Sequence, residues 1–452
     1  MTWANRAGFF LLCTVVTLTT LAYGTVHQPI IAIFYVSVAA LAILWVADCA
    51  LAGELKFSRS LVQVPLLAAA IYGAIQVIPF GRVSEGIDGV PRTISLDPFA
   101  TQVSATHFLA LFFFLTVALT LFDSTKRLRW IGSFIIVFGF LFAFFAILQS
   151  VLSPQKIYGI YESRFAMPFG SFVNRHNFAA FIEMAIAIPL GLMFVGAVRE
   201  DKRLLYLTAI GLMGISLLLS GSRGGLIAFV AELILLVILT TGNGARSRLG
   251  LKIVLSALLL AAVVGGAIFV GGDTSLTRFA ETASKSDVST GRMQIWRQTV
   301  SVIEANFPLG AGLGAFGVAY TPHDAFSGLE RVEQAHNDYL QVLADAGLVG
   351  LVIGIFFLVL IFGEGIGSSR IENLDRRGLA VGAFAGIFAV LVHSIFDFVM
   401  HTTAISVLFL VLIAILVSSR ASFADDAPQT APRRTKRRSS GNVSAISRRL
   451  RT

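Results

Sequence analysis

The stretch IGSFIIVFGFLFAFFAILQSV, residues 131–151, contains no charged side chain and is long enough to cross a lipid bilayer as one helix. Comparable runs recur along the chain, which has 452 residues, of which 56% are hydrophobic, only 13% are charged and 38 are Phe. A soluble protein of this length has no interior that could hide so much apolar surface, whereas a bilayer accepts it. The composition therefore predicts an all-α integral membrane protein.

About twelve transmembrane helices are predicted from the apolar runs. The first run has no convincing small-residue cleavage site, so it is interpreted as an uncleaved span. The sequence shows no obvious internal repeat. The runs lie near residues 8–24, 30–48, 61–79, 105–122, 131–151, 176–197, 204–220, 224–241, 252–271, 346–363, 379–397 and 402–419.

The basic residues indicate an orientation, because Lys and Arg concentrate in short cytoplasmic loops. Residues 123–130, 198–203, 242–252 and 364–378 are short and carry three Lys or Arg each. With these segments and both termini inside, one long outer segment remains. The predicted organisation is transmembrane helices over 1–271, an outer loop subdomain over 272–345, further helices over 346–419 and a basic, disordered cytoplasmic tail over 420–452.

The tail accounts for most of the net charge of +9, since it holds nine Lys or Arg against Asp425 and Asp426. Its composition is too polar to fold, and we interpret it as a cytoplasmic segment that contacts anionic membrane lipids rather than nucleic acid. Cys13 and Cys49 lie in or beside the first two apolar runs, so no disulfide framework or metal site is predicted.

Two outer-face motifs place arginines at the ends of spans. RFAMPFGSFVNRHNFAAF, residues 164–181, brings Arg164, Asn174 and Arg175 to the entrance of a span, where Asn174 could instead simply cap the helix. SGSRGG, residues 220–225, puts Arg223 between two spans with almost no loop. Arginine in hydrocarbon costs about 2.5–3.5 kcal/mol. The glycines predict an anion-binding nest of backbone N–H groups, with a tight turn and a snorkelling arginine as the alternative.

Two further motifs lie in the long outer segment. TGRMQIWR, residues 290–297, begins a predicted helix on which Arg292 can lie along Trp296, and it leads into a glycine-dense loop, residues 306–314, of a kind that can close over a ligand. QAHNDYLQVLADAG, residues 334–347, places His336 at the start of a helix that enters the membrane. A histidine in that position can act as a base near neutral pH.

Together the four motifs predict a site for a diphosphate-containing substrate. Guanidinium groups bind phosphate oxygens in a fork, and a neutral histidine can deprotonate a hydroxyl. The sequence has no Walker motif, zinc-ligand spacing or Rossmann fingerprint, so neither a metal nor a cofactor is predicted.

At these residues the chain resembles the O-antigen ligase/Wzy-type polymerase family, most strongly between 160 and 350. The shared motifs are Gly-x-Phe-x-Asn-Arg (170–175), Ser-Arg-Gly-Gly (222–225), Gly-Arg-x-x-x-Trp (291–296), Pro-Leu-Gly-x-Gly-x-Gly-x-Phe (308–316) and His-Asn-Asp-Tyr-Leu (336–340). In one departure, 174–177 reads Asn-Arg-His-Asn where the family often has Asn-Arg-Asn-His. This exchange leaves the role of His176 open.

The resemblance implies a metal-independent, inverting glycosyltransferase in the bacterial inner membrane, with its active site facing the periplasm. Such enzymes move a glycan from undecaprenyl diphosphate to an acceptor sugar. The implied base is His336. The implied diphosphate and substrate ligands are Arg223, Arg292, Arg164, Arg175, Asn174, Asn337 and Tyr339.

Two alternatives stay open at this stage. The acceptor could be lipid A-core, as for a ligase, or another lipid-linked repeat unit, as for a polymerase. A twelve-helix secondary transporter is the alternative from another class, because ionisable residues occur within the predicted spans. Two of these residues, His393 and Asp397, are four positions apart and are expected to pair on one helix face.

Overall fold

The computed structural model describes residues 1–80, 92–163, 166–241, 291–325 and 331–421, together with residues 253, 256, 257 and 261. Helices dominate this part of the chain, and the strands are the short antiparallel pair β1 (Lys156–Ile157) and β2 (Tyr161–Glu162). The helices are α1 (Trp3–Leu21), α2 (Gln28–Ala52), α3 (Val64–Gln76), α4 (Pro98–Leu121), α5 (Thr125–Leu152), α6 (Arg175–Val195), α7 (Arg203–Leu219), α8 (Arg223–Thr240), α9 (Arg292–Ala305), α10 (Phe316–Tyr320), α11 (Asp338–Ser368), α12 (Leu374–His393) and α13 (Thr403–Arg420).

Ten helices in the described ranges are long and apolar enough to span a membrane, which confirms the predicted all-α membrane architecture. The run predicted near 61–79 is instead a 3₁₀ turn followed by α3, and the apolar helix Leu61–Gln76 is shorter than those ten. The run predicted at 252–271 and the tail beyond Ala421 lie outside the described residues, apart from the isolated positions named above.

The centre of the bundle is formed by α6, α12 and α13. Of the residues in their apolar stretches, 83%, 78% and 89% respectively are buried inside the protein. Glycines let α6 and α12 approach each other closely: a Cβ at Gly191 would lie only 2.4 Å from the backbone nitrogen of Gly382. In lipid, where apolar burial drives little helix association, such small residues allow close packing. α6 and α12, which carry His176 and His393, are therefore closely packed against each other.

The predicted outer segment contains α9, α10 and the glycine-dense loop, which surround a small apolar cluster of their own. The loop does not present a free glycine surface for a ligand. The backbone of Gly310 lies against Asp345, where a Cβ would meet the carbonyl oxygen at 2.5 Å, and Gly312 lies against Ser95. This packing gives the glycines a structural reason, and a role of the loop in closing over a ligand stays a prediction. Its glycines, which all have positive φ, dock the segment onto α11, onto Ser95 and onto the first turns of α4.

The two ends of the bundle differ in chemistry. α6, α8, α11 and α13 begin at one end, where α7 and α12 finish. All four predicted motifs reach that same end. The basic segments 123–130, 198–203 and 364–378 lie at the opposite end, where Arg129 pairs with Asp375 at 2.8 Å. The motifs and the basic loops are thus separated by the length of the helices, as the predicted topology requires.

Candidate active site

Asp397 is the point at which the separate motifs meet. Its carboxylate is 2.9 Å from Nη2 of Arg292, 3.3 Å from Nδ1 of His336 and 3.7 Å from Nδ1 of His176. The Asp397 side chain is only 2% exposed. A buried carboxylate is costly unless it is paired and hydrogen-bonded, so these three partners explain how it is tolerated.

The environment of Asp397 keeps its carboxyl group ionised. Burial alone would raise its pKa, but the hydrogen bond with His336 and the charges of His176 and Arg292 hold the pKa well below its usual range. A carboxylate that stays ionised accepts hydrogen bonds and does not donate them. It is therefore suited to orient a histidine and an arginine at the same time.

His336 is held in an unusual backbone conformation directly before α11. Its φ is +51°, in the left-handed region that residues other than glycine seldom adopt. Trp296 Nε1 donates to its carbonyl oxygen at 3.4 Å, and the Phe398 ring packs edge-on at 4.8 Å between ring centroids. The side chain is still 31% exposed. Such a conformation persists only where the surroundings impose it, which is common at functional sites.

The contact with Asp397 fixes which nitrogen of His336 can act as a base. Because an ionised carboxylate only accepts, we assign the ring proton to Nδ1, which lies 3.3 Å from Oδ1 of Asp397. The lone pair is then on Nε2. A carboxylate in this place also stabilises the imidazolium that forms when Nε2 takes up a proton.

The Ser222 hydroxyl links the second motif to the first. It caps α8 by accepting a hydrogen bond from the Gly225 N–H at 3.2 Å. It also lies 2.9 Å from Nδ1 of His176 and 3.4 Å from Nε2 of His393. His176, whose role the sequence left open, therefore sits between this capping serine and Asp397.

The predicted anion nest at residues 222–225 is replaced by the ordered start of a helix. Positive φ occurs before it, at Gly221, whereas Gly224 and Gly225 lie within α8. A Cβ at Gly224 would be 2.8 Å from the His393 ring, so this glycine is needed for close packing rather than for its φ. The start of α8 still presents the positive end of a helix dipole to an anion.

Two predicted arginines adjoin this turn. Arg223 is the first residue of α8, and Nη1 of Arg175 lies 3.4 Å from the position that a Cβ would take at Gly221. Arg292 is the third predicted arginine, and it donates through Nη1 to the Phe396 carbonyl at 2.6 Å as well as to Asp397. Arg164 lies outside the described residues.

The expected pairing of His393 with Asp397 is not the one observed. α12 ends at His393, and the chain then turns, so that Asp397 faces Arg292 and His336. His393 instead lies with Nδ1 3.2 Å from both carboxylate oxygens of Glu183, and both residues are fully buried. The i, i+4 spacing suggested a local pair, but each of the two side chains has tertiary partners instead.

The remaining predicted ligands have structural partners. Asn174 caps α6 by accepting from the His176 N–H at 2.9 Å, as the capping interpretation expected. Asn337 caps α11 and donates to the Ile395 carbonyl at 2.9 Å, while the Tyr339 hydroxyl donates to the Leu391 carbonyl at 2.8 Å. These contacts anchor the chain on either side of His336. Substrate contacts by the three side chains stay a prediction.

Residues 208–355 match the model of a known family, the O-antigen ligases. The predicted resemblance to this family is confirmed. No curated protein matches the chain significantly. The matched segment of the O-antigen ligase family contains Arg223, Arg292 and His336, whereas His176 and Asp397 lie outside it.

Asp397 and the pair Glu183–His393 were not recognised as site residues from the sequence, where they were only ionisable residues within apolar runs. The sequence did contain one signal. A charged side chain within an apolar run is costly in a membrane, so each such residue is by default a candidate for a functional role. What the sequence lacked was the identity of the partners, which come from α6, α9 and the segment before α11.

Proposed function

We propose that the chain is a metal-independent glycosyltransferase that moves a glycan from undecaprenyl diphosphate to a sugar hydroxyl of an acceptor. The family match supports a ligase or polymerase of lipopolysaccharide biosynthesis. The observation that carries the proposal is the contact of His336 Nδ1 with the buried Asp397 carboxylate at 3.3 Å. It leaves Nε2 of an accessible histidine as a base beside three arginine-bearing segments.

The proposed step is a single displacement. The acceptor oxygen forms a bond to the anomeric carbon of the donor while the bond from that carbon to the diphosphate oxygen breaks. The hydroxyl proton moves to Nε2 of His336, and the diphosphate leaves with the bonding electron pair. One displacement inverts the anomeric centre and needs no second carboxylate as nucleophile. Asp397 stabilises the resulting imidazolium, as an oriented carboxylate does in other histidine-based sites.

The diphosphate is proposed to bind between the start of α8 and Arg292. Arg223 and the adjacent Arg175 are on one side, together with the positive end of the α8 dipole. Arg292 is on the other side, with its guanidinium oriented by Phe396 and Asp397. A guanidinium that is already oriented loses less conformational freedom when it binds phosphate oxygens.

Ligase and polymerase would use the same residues and differ in the acceptor. The purified protein should transfer glycan from an undecaprenyl-diphosphate donor either to lipid A-core or to a second lipid-linked repeat unit. Product analysis with each acceptor alone identifies the reaction. Failure with both acceptors, while the protein is folded and binds the donor, would contradict the proposal.

The transporter alternative would draw on buried ionisable groups such as Glu183 and His393, yet this pair adjoins the candidate site. His393 lies between Glu183 and Ser222, which caps α8. The pair is thus part of the support for the Arg223-bearing turn. Proton-coupled uptake of a solute into proteoliposomes, without glycan transfer, would favour the transporter.

Substituting Arg223 or Arg292 by lysine should reduce transfer about tenfold or more, since the loss of a charged hydrogen bond costs a few kcal/mol. Lysine keeps the charge but lacks the planar fork that binds two phosphate oxygens. Arg297→Lys, an exposed position on the same helix as Arg292, is the matched control and should stay near wild type. Near-normal turnover of both test variants at wild-type protein levels would leave the two arginines a structural role only.

The proposed topology puts residues 272–345 in the periplasm and 420–452 in the cytoplasm. In a protein whose Cys13 and Cys49 have been replaced, Lys285→Cys should react with an impermeant maleimide added to intact spheroplasts, and Ser440→Cys should react only after lysis. The reverse pattern would invert the orientation and remove the periplasmic site.

A further inference from the structure

A polar cavity lies at the end of the bundle opposite the candidate active site. It has a volume of about 670 Å³ and forms where α11 ends at Ser368, α12 begins at Leu374 and α13 ends at Arg420. Since α12 has 20 residues and a helix rises about 1.5 Å per residue, this cavity is about 30 Å from His393. Its size is within the range of small-ligand sites.

Three arginines line this cavity, against one acidic residue, Glu372. Arg376 is buried and fixed in the wall, where its Nε donates to the Ser419 carbonyl at 2.9 Å. Arg420 pairs through Nη1 with Glu364. Arg370 is exposed, and within the part of the chain that the structure describes its guanidinium has no ion-pair partner. The wall is therefore cationic, and Arg370 supplies donors that an anion could use.

An unpaired hydroxyl in the same wall points independently to a ligand. Ser419 lines the cavity and is 0% exposed, and its Oγ has no hydrogen-bond partner among the described residues. Buried polar side chains are nearly always hydrogen-bonded, so an unsatisfied one suggests that a partner binds there. An acceptor oxygen in the cavity would satisfy it.

The backbone around the cavity is also suited to an anion. Asn373 caps α12, since its Oδ1 accepts a hydrogen bond from the backbone N–H of Arg376 at 3.1 Å. The first turn of α12 presents the positive end of a helix dipole. At Gly367 a Cβ would lie 2.7 Å from Cζ of Arg420, so the missing side chain lets the guanidinium lie across the end of α11. Both features concentrate positive charge at one place.

We propose that this cavity binds a phosphate group, carried by the headgroup of an anionic phospholipid. Phosphate oxygens accept the forked donors of arginine and the hydroxyl of Ser419. Basic pockets between transmembrane helices are suited to such headgroups. The cavity lies at the end of the spanning helices, where headgroups are found. The site is separate from the proposed transfer reaction and does not depend on it.

The test uses the full chain in detergent, with phosphatidylglycerol as the anionic probe and phosphatidylcholine as the zwitterionic one. Native mass spectrometry measures the lipid-bound fraction at rising lipid concentration. Arg370→Gln, an exposed position that should fold normally, is expected to weaken phosphatidylglycerol binding about tenfold, as the loss of one charged hydrogen bond predicts. Gly367→Ala, which displaces Arg420, should act in the same direction.

Arg199→Gln is the matched control, because Arg199 is an exposed arginine at the same end of the bundle that pairs with Asp201 at 3.0 Å. It should leave binding unchanged. A parallel series measures the thermal unfolding of the protein with rising inorganic phosphate and so identifies the source of the anion. If phosphate raises the unfolding temperature of the wild type but not of Arg370→Gln, free phosphate also occupies the site. Binding that is equal for the two lipids, or equally weakened by Arg199→Gln and Arg370→Gln, overturns the proposal.

Discussion

Replacing His336 with alanine should lower the rate of glycan transfer by roughly 10²–10⁴-fold, the usual contribution of a positioned general base. The diphosphate is already a good leaving group when arginines hold it, so the harder requirement is activation of the acceptor hydroxyl, whose pKa is high. This activation needs a group that accepts the hydroxyl proton while the bond between the acceptor oxygen and the anomeric carbon forms. Donor binding should be retained, because the proposed diphosphate contacts come from other residues.

Two companion variants separate proton transfer from structure. His336→Gln can donate and accept hydrogen bonds but cannot take up the proton, and it should be nearly as inactive as alanine. His336→Asn controls for the backbone, because asparagine tolerates the left-handed conformation at φ +51° better than most residues do. Rates are measured with a lipid-linked donor at matched protein levels. Recovery of most of the activity in the glutamine variant would make His336 a positioning residue, and full activity in alanine would remove the assignment of His336 as the base.

Asp397→Asn should reduce the maximal rate on the order of 10⁴-fold, by analogy with the loss seen when the orienting carboxylate of a catalytic histidine becomes an amide. An amide can donate to Nδ1 of His336 and so favour the tautomer whose Nε2 already carries a proton. The variant also leaves the Arg292 guanidinium beside a neutral group. The acceptor KM should change much less than the maximal rate, because Asp397 is proposed to act through His336.

The Asp397 experiment needs a control for folding, since the residue is buried among charged partners. Thermal unfolding and donor binding should be measured for Asp397→Asn beside Arg292→Lys. If both variants lose donor binding to the same degree and the maximal rate is preserved, Asp397 serves only to hold Arg292. A drop in rate that is confined to Asp397→Asn supports its role in orienting His336.

Much of the architecture was predictable because it depends on local composition. Ten of the predicted spans correspond to helices, since an uncharged apolar run about 20 residues long satisfies its backbone hydrogen bonds only as a helix in lipid. The start of α11 was also predictable, as Asn337 and the apolar spacing that follows it are local signals. The run at 61–79 also corresponds to an apolar helix, Leu61–Gln76, which is shorter than predicted because it ends three residues earlier and begins with a 3₁₀ turn.

The sequence by itself determined that this protein is helical and membrane-spanning, and it identified His336, Arg223 and Arg292 as unusual at their positions. Only the tertiary structure decided what those residues contact. Asp397 is brought to His336 because α12 ends at His393 and the chain turns back towards α9 and α11. Hydrophobic periodicity specifies which segments are buried. The partner of a buried charge depends instead on how helices distant in sequence pack together, and no local sequence pattern specifies that packing.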